Sequence, residues 1–152
     1  MIPSGLIDSH LHIGDLDRIS ELQRYVELLG LSRVGVLSLP TAGADAAAPL
    51  INFNPEVLAA MHALSGVVDG FGSFDNRALL AAEGREAEEG ANGARGAWNP
   101  SAQVGELAEA GFAGIKMWEG KPDLQQALGI TLDDPRLISA YSEAGRRGMR
   151  VL

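Results

Sequence analysis

Cysteine is absent from the 152 residues, which excludes disulfides and thiolate metal sites. Any bound metal must therefore be held by imidazole and carboxylate. Aromatic residues are few, at 5%, so a core must be built mostly from Leu, Val, Ile and Ala. Positive charge is also scarce: 12 Lys and Arg stand against 20 Asp and Glu, a formal charge of −8. Such a surface is unsuited to nucleic acid, whose phosphates need a basic face. No apolar run approaches the ~18 residues of a membrane span. The opening "MIPSGLIDSH" lacks the basic and then apolar order of a secretion signal. The expectation is a cytoplasmic protein with a small-molecule substrate and neither nucleic acid nor membrane as partner. Histidine is nearly absent too, and two of the three fall one residue apart in "IDSHLHIGD".

What is present is a repeated grammar. "DLDRISELQRYVELLG" places Ile19, Leu22, Val26 and Leu29 on one helical stripe, opened by Asp residues suited to capping and stopped at Gly30. "VGVLSLP", Val34 to Pro40, then reads as a buried strand. "NPEVLAAMHALSG" repeats the unit, with Asn54 as cap, Pro55 at the first helical position and Gly66 at the end. "VVDGFGSF" follows as a strand, "NPSAQVGELAEAG" leads into "FAGIKMW", and "DDPRLISAYSEAGRRG" leads into "MRVL". Helix, glycine, strand occurs four times after an opening strand at "GLIDSH". Strands alternating with helices at this spacing indicate an α/β fold of parallel β-α units.

The connections are lopsided. Helix-to-strand links take a few residues. Strand-to-helix links are long, as in "TAGADAAAPLINF", "DNRALLAAEGREAEEGANGARGAW" and "EGKPDLQQALGITL". In parallel α/β proteins these longer links gather at the carboxyl ends of the strands, where sites are built. Tolerated insertion explains length equally well, since loop length costs little stability. That suffices for residues 83–98, which read as a mobile loop after a helical stretch at Arg77 to Glu83.

On a strand, residues two apart point the same way, so Asp8, His10 and His12 are expected to share one face. Two imidazoles on one face can reach a single ion ~2.0–2.1 Å from each ring nitrogen. Asp8 is better placed to orient a ring or the turn than to ligate. Two ordinary exposed histidines would satisfy the same spacing. His62, in "AAMHALS", reads as a packing or surface residue.

"IDSHLHIGD" resembles the Asp-x-His-x-His signature of the amidohydrolase superfamily. "GFAGIKMWEGKPDLQQALGITLDDPRLISAYSEAGRRGMRVL" is similar to the fourth-strand region of its amidohydrolase-related, barrel-type members. The resemblance covers both ends of the chain and, between them, the order of elements. It implies a (β/α)₈ TIM-type barrel with one or two divalent ions, zinc first among them, at the carboxyl mouth. It also implies a metal-activated water attacking an amide, ester, lactone or related carbon centre. His10 and His12 are then metal ligands, with Asp8 supporting them from behind. Lys116 becomes a candidate carboxylated bridge between two ions, although its stem packing with the ammonium in water would place it equally well. Trp118, Glu119 and Asp75 become candidate substrate contacts, with Asp75 equally suited to cap the turn that follows it.

About five strands are present where such a barrel has eight in ~250 residues. Residues 1–152 are therefore expected to be the N-terminal part of a metal-dependent hydrolase domain, a partial barrel inactive by itself. A non-catalytic partial-barrel binding or assembly module is the alternative, with homo-oligomerisation as one way to cover its edge strands. A decarboxylase or hydratase of the same superfamily is the other, since each of these chemistries uses a metal to polarise oxygen.

Overall fold

The computed structural model describes residues 5–39, 52, 54–82 and 98–152. Five parallel strands lie in chain order across one sheet: β1 (Leu6–His12), β2 (Leu31–Leu37), β3 (Val68–Gly72), β4 (Gly114–Ile115) and β5 (Arg150–Val151). Helices α1 (Ile19–Leu29), α2 (Asn54–Ala63), α3 (Arg77–Ala82), α4 (Pro100–Glu109), α5 (Pro122–Leu128) and α6 (Pro135–Arg146) fill the crossovers. Sequential strand order with helical returns curls the sheet into half of a TIM-type barrel, the α/β architecture expected.

The local signals explain the elements. Leu22 and Val26 of the expected stripe are buried beneath α1. Gly30 ends that helix at φ 62°, a left-handed conformation favouring glycine, and its N–H returns to the Val26 and Glu27 carbonyls. The Asp134 carboxylate accepts from the Arg136 N–H to open α6, whose Leu137, Ala140 and Ala144 are buried. The glycines of β3 serve packing rather than turning. A Cβ on Gly70 would collide with Met61 of α2, and one on Gly72 with Leu107 of α4. Both helices thus lie directly against the strand.

Strand parity then separates two faces. Val34, Val36, Val68 and Ile115 join the helical residues Leu22, Val26, Val57, Ala60, Val104 and Leu137 in one core. The opposite face carries Arg33, Gly35, Leu37, Asp69, Phe71, Gly114 and Arg150, as the pairings Gly35–Asp69, Leu37–Phe71, Phe71–Gly114 and Gly114–Arg150 require. Strands β1 and β5 are the sheet's two edges, and Leu6, Ile7, Val151 and Leu152 are exposed along them.

Three expectations change. Asp8 does not share a face with His12: Asp8 pairs with Val34 and His12 with Leu37, so four steps on β1 match three on β2. The irregularity lies between Asp8 and Leu11, and an extra residue there reverses parity. Asp8 therefore faces the helices and His12 the concave side. Second, the expected loop after β4 contains α5, started by Pro122 and ended by Gly129 in the left-handed region. Third, Asn54 does more than open α2. Its amide accepts from the Ser73 N–H at 2.8 Å and donates to the Ser73 carbonyl at 2.9 Å, extending β3 with a side chain. The expected mobile segment 83–98 lies outside the described residues except for Trp98, which is buried, stacks edge-on to Phe74 and donates Nε1–H to the Asp75 carbonyl at 3.1 Å.

Candidate functional site

The carboxyl ends of the first four strands converge. His12 ends β1, and its Nδ1 lies 2.9 Å from the Leu37 carbonyl at the end of β2. The Trp118 indole, just beyond β4, donates Nε1–H to the Ser38 carbonyl at 2.9 Å. Ser38 and Ser73, both buried, link the ends of β2 and β3 through their hydroxyls at 3.0 Å. The His12 and Trp118 ring centres are 5.9 Å apart. These contacts weld the mouth from residues up to 80 positions apart in the chain.

The two imidazoles meet there. Nε2 of His10 lies 3.0 Å from Nε2 of His12, with the rings nearly perpendicular. A carbonyl only accepts, so the Leu37 contact puts the proton of neutral His12 on Nδ1 and leaves its Nε2 with a free lone pair. His10 then donates across the short contact. Burial is the main influence lowering the His12 pKa below the ordinary imidazole value. The Leu37 hydrogen bond opposes it, and the charges of His10, Lys116 and Lys121 add to the lowering. Neutral imidazole is the form that binds metal.

The arrangement fits part of a metal centre. Two rings at ~2.0–2.1 Å from one ion place their nitrogens about 3 Å apart, and the carbonyl-anchored Nδ1 is the usual support for such a ligand. Among the described residues no group of three or more His, Cys, Asp or Glu comes together, so the pair supplies two ligands.

The other candidates are scattered. Asp8 accepts from the His10 backbone N–H at 3.1 Å and from the Tyr25 hydroxyl at 2.9 Å. It orders the bulged backbone and ties it to α1 without touching either ring. Asp75 accepts from the Arg77 N–H at 3.0 Å and pairs with the Arg77 guanidinium, the capping role that had been its alternative. These contacts hold its carboxyl below the usual range against the opposing effect of burial. Glu119, expected in a pocket wall, is 1% exposed and accepts from Asn76, with no partner on Oε2. Burial pushes its pKa up; that of Tyr141 on α6 is raised by burial first and by the Glu119 charge second. Lys116 and Trp118 do reach the mouth: the Lys116 Nζ lies 5.3 Å from the indole centre. His62 is exposed on α2. Sequence reasoning missed the roles at the mouth of Ser38, Ser73, Asn54 and Asn76, ordinary polar residues whose partners lie 19 to 43 positions away, and of Lys121, which the Gly-Lys-Pro start of α5 could have marked as positioned.

No protein-family model matches the chain. No curated protein matches it. Among solved structures, it is similar to a "probable 2-pyrone-4,6-dicarboxylic acid hydrolase" from Acinetobacter baumannii with citric acid bound, at a TM-score of 0.57 and 10% identity. The likeness covers 95% of this chain and 47% of that one, so the chain spans about half the length of its structural neighbour. At that identity the shared property is the fold: this chain has the architecture of a partial TIM-type barrel.

Proposed function

We propose that the protein is a metal-dependent hydrolase of the amidohydrolase type, with His10 and His12 as ligands to a divalent ion, zinc first among candidates. The observation that carries this reading is the 3.0 Å approach of two Nε2 atoms, one with its lone pair directed by the Leu37 carbonyl. When bound, the ion would supply a water of lowered pKa as nucleophile toward an ester, lactone, amide or related carbon centre. The chain's own residues do the rest. Leu37 fixes the His12 tautomer, Asp8 holds the bulged backbone that turns His10 toward His12, and Trp118 walls the far side of the His12 ring. The structural neighbour is itself described as a hydrolase, which supports the same class.

Equilibrium zinc binding tests the reading. The protein should bind zinc, and His10→Ala and His12→Ala should each weaken binding about a hundredfold. Equal binding by the protein and the double variant would reject it. Turnover of a lactone, ester and amide panel that depends on added metal and on both histidines would establish the chemistry. The two-ligand count among the described residues favours one competing reading, a non-catalytic binding module, because catalytic zinc ordinarily takes three protein ligands and a water. Discrete oligomers of a stable protein whose folding is indifferent to replacement of His10 and His12 would select that module.

A further inference from the structure

Lysine is scarcer in this chain than histidine. There are two, Lys116 and Lys121, and the fold brings both to one side chain. The Lys116 Nζ lies 5.3 Å and the Lys121 Nζ 4.1 Å from the centre of the Trp118 ring. That indole is 9% exposed and pinned by its bond to the Ser38 carbonyl. It is a rigid platform, and its π-face attracts both ammoniums.

Neither ammonium has a carboxylate partner among the described residues. The arginines treat their charge differently. Arg33 and Arg150 share Asp69, Arg77 pairs with Asp75, Arg136 with Asp134, and Arg146 and Arg147 with Glu143. Arg18 and Arg24 also have no carboxylate partner among the described residues, but they are exposed on and just before α1. In a chain with formal charge −8, carboxylates are plentiful. The mouth is nevertheless where two ammoniums without a carboxylate partner among the described residues approach one indole, whose centre lies 5.9 Å from that of the His12 ring.

We propose that Lys116, Lys121 and Trp118 form a carboxylate-binding subsite beside His10 and His12. The substrate is then a small organic acid, held by its anionic end while the imidazole pair faces the carbon under attack. Identifying that acid as a substrate rests on the hydrolase reading; the binding itself does not. A neutral ligand would leave both charges around the indole uncompensated. A phosphate ligand usually draws on a cradle of backbone N–H groups at a helix start, and here Pro122 removes one from the first position of α5.

Calorimetric titration with citrate, without added metal, tests the subsite and is independent of the zinc measurement. Citrate should bind, more weakly as salt rises, and uncharged trimethyl citrate should not. Lys116→Gln and Lys121→Gln should each weaken citrate about tenfold, the value of a charged hydrogen bond. Arg18→Gln and Arg24→Gln, which remove the same charge elsewhere, should leave it unchanged. Lys121 is exposed, so its variant keeps the test sound if the Lys116 variant folds poorly. Failure to bind citrate, binding indifferent to both lysines, equal losses in the arginine variants, or inorganic phosphate binding more tightly than citrate would each overturn the proposal. Loss of zinc binding with citrate binding intact would overturn the hydrolase reading and leave the subsite standing.

Discussion

The two faces of the sheet obey different rules. The convex face is apolar and closed: Val34, Val36 and Ile115 are at most 1% exposed under α1, α2 and α4. The concave face carries charge. Toward the amino ends of the strands, Arg33, Asp69 and Arg150 form an ion-pair cluster; toward the carboxyl ends sit His12, Lys116 and Trp118. Alternation along a strand makes this division possible, since neighbouring residues serve opposite environments. Apolar packing is therefore concentrated on one face and charge on the other. Glu119 is the exception among the acids of the strand ends, being only 1% exposed.

The comparison can be broken most forcefully from the convex side. Leu137→Ala empties a fully buried site on α6 and should cost about 3 kcal/mol in urea denaturation. Zinc and citrate binding by the folded fraction should be unchanged; losses in both would mean that the faces are not separable. From the concave side, His12→Ala should reduce zinc affinity about a hundredfold while changing stability by less than about 1 kcal/mol. A stability loss rivalling that of Leu137→Ala would make His12 a packing residue.

Glu119→Gln sharpens the exception. Burial raises the folded-state pKa of Glu119. Its stabilising contribution is thus fully present below the unfolded value of about 4.3 and is lost as pH rises through the folded value. The protein and the variant should be similarly stable in acid and diverge toward neutral pH. There the variant should be more stable by about 1–2 kcal/mol, because an amide keeps the Asn76 contact without a buried charge. Parallel stability curves from acid to neutral pH would show that the carboxylate is not what its surroundings disfavour. The smallest effect belongs to the Asp69 cluster. Arg150 is 59% exposed, so Arg150→Gln should cost under about 1 kcal/mol and less still in high salt.

The pattern of elements was legible because its signals are local. The α1 stripe and Gly30 each act within a turn or two of chain, and they predict a helix and an end that the structure reproduces. His10 and His12 stood out through spacing alone. Asp8 was misplaced because alternation assumes regular pairing, and the bulge that reverses its face depends on β2. The α5 helix was hidden in what read as a loop because it is only seven residues long. Asn76 and Glu119 were opaque together, since the value of each depends on a partner 43 positions away.

By itself the sequence determined what can be decided within a few residues: helices, their caps, a run of parallel strands and two imidazoles at a strand end. Tertiary structure alone decided which side of the sheet each polar group faces, that the Leu37 carbonyl orients His12, and that the Ser38 carbonyl pins the Trp118 indole. Backbone conformation follows from nearest neighbours. A hydrogen-bond acceptor or an unneutralised charge has meaning only once distant segments of chain enclose it.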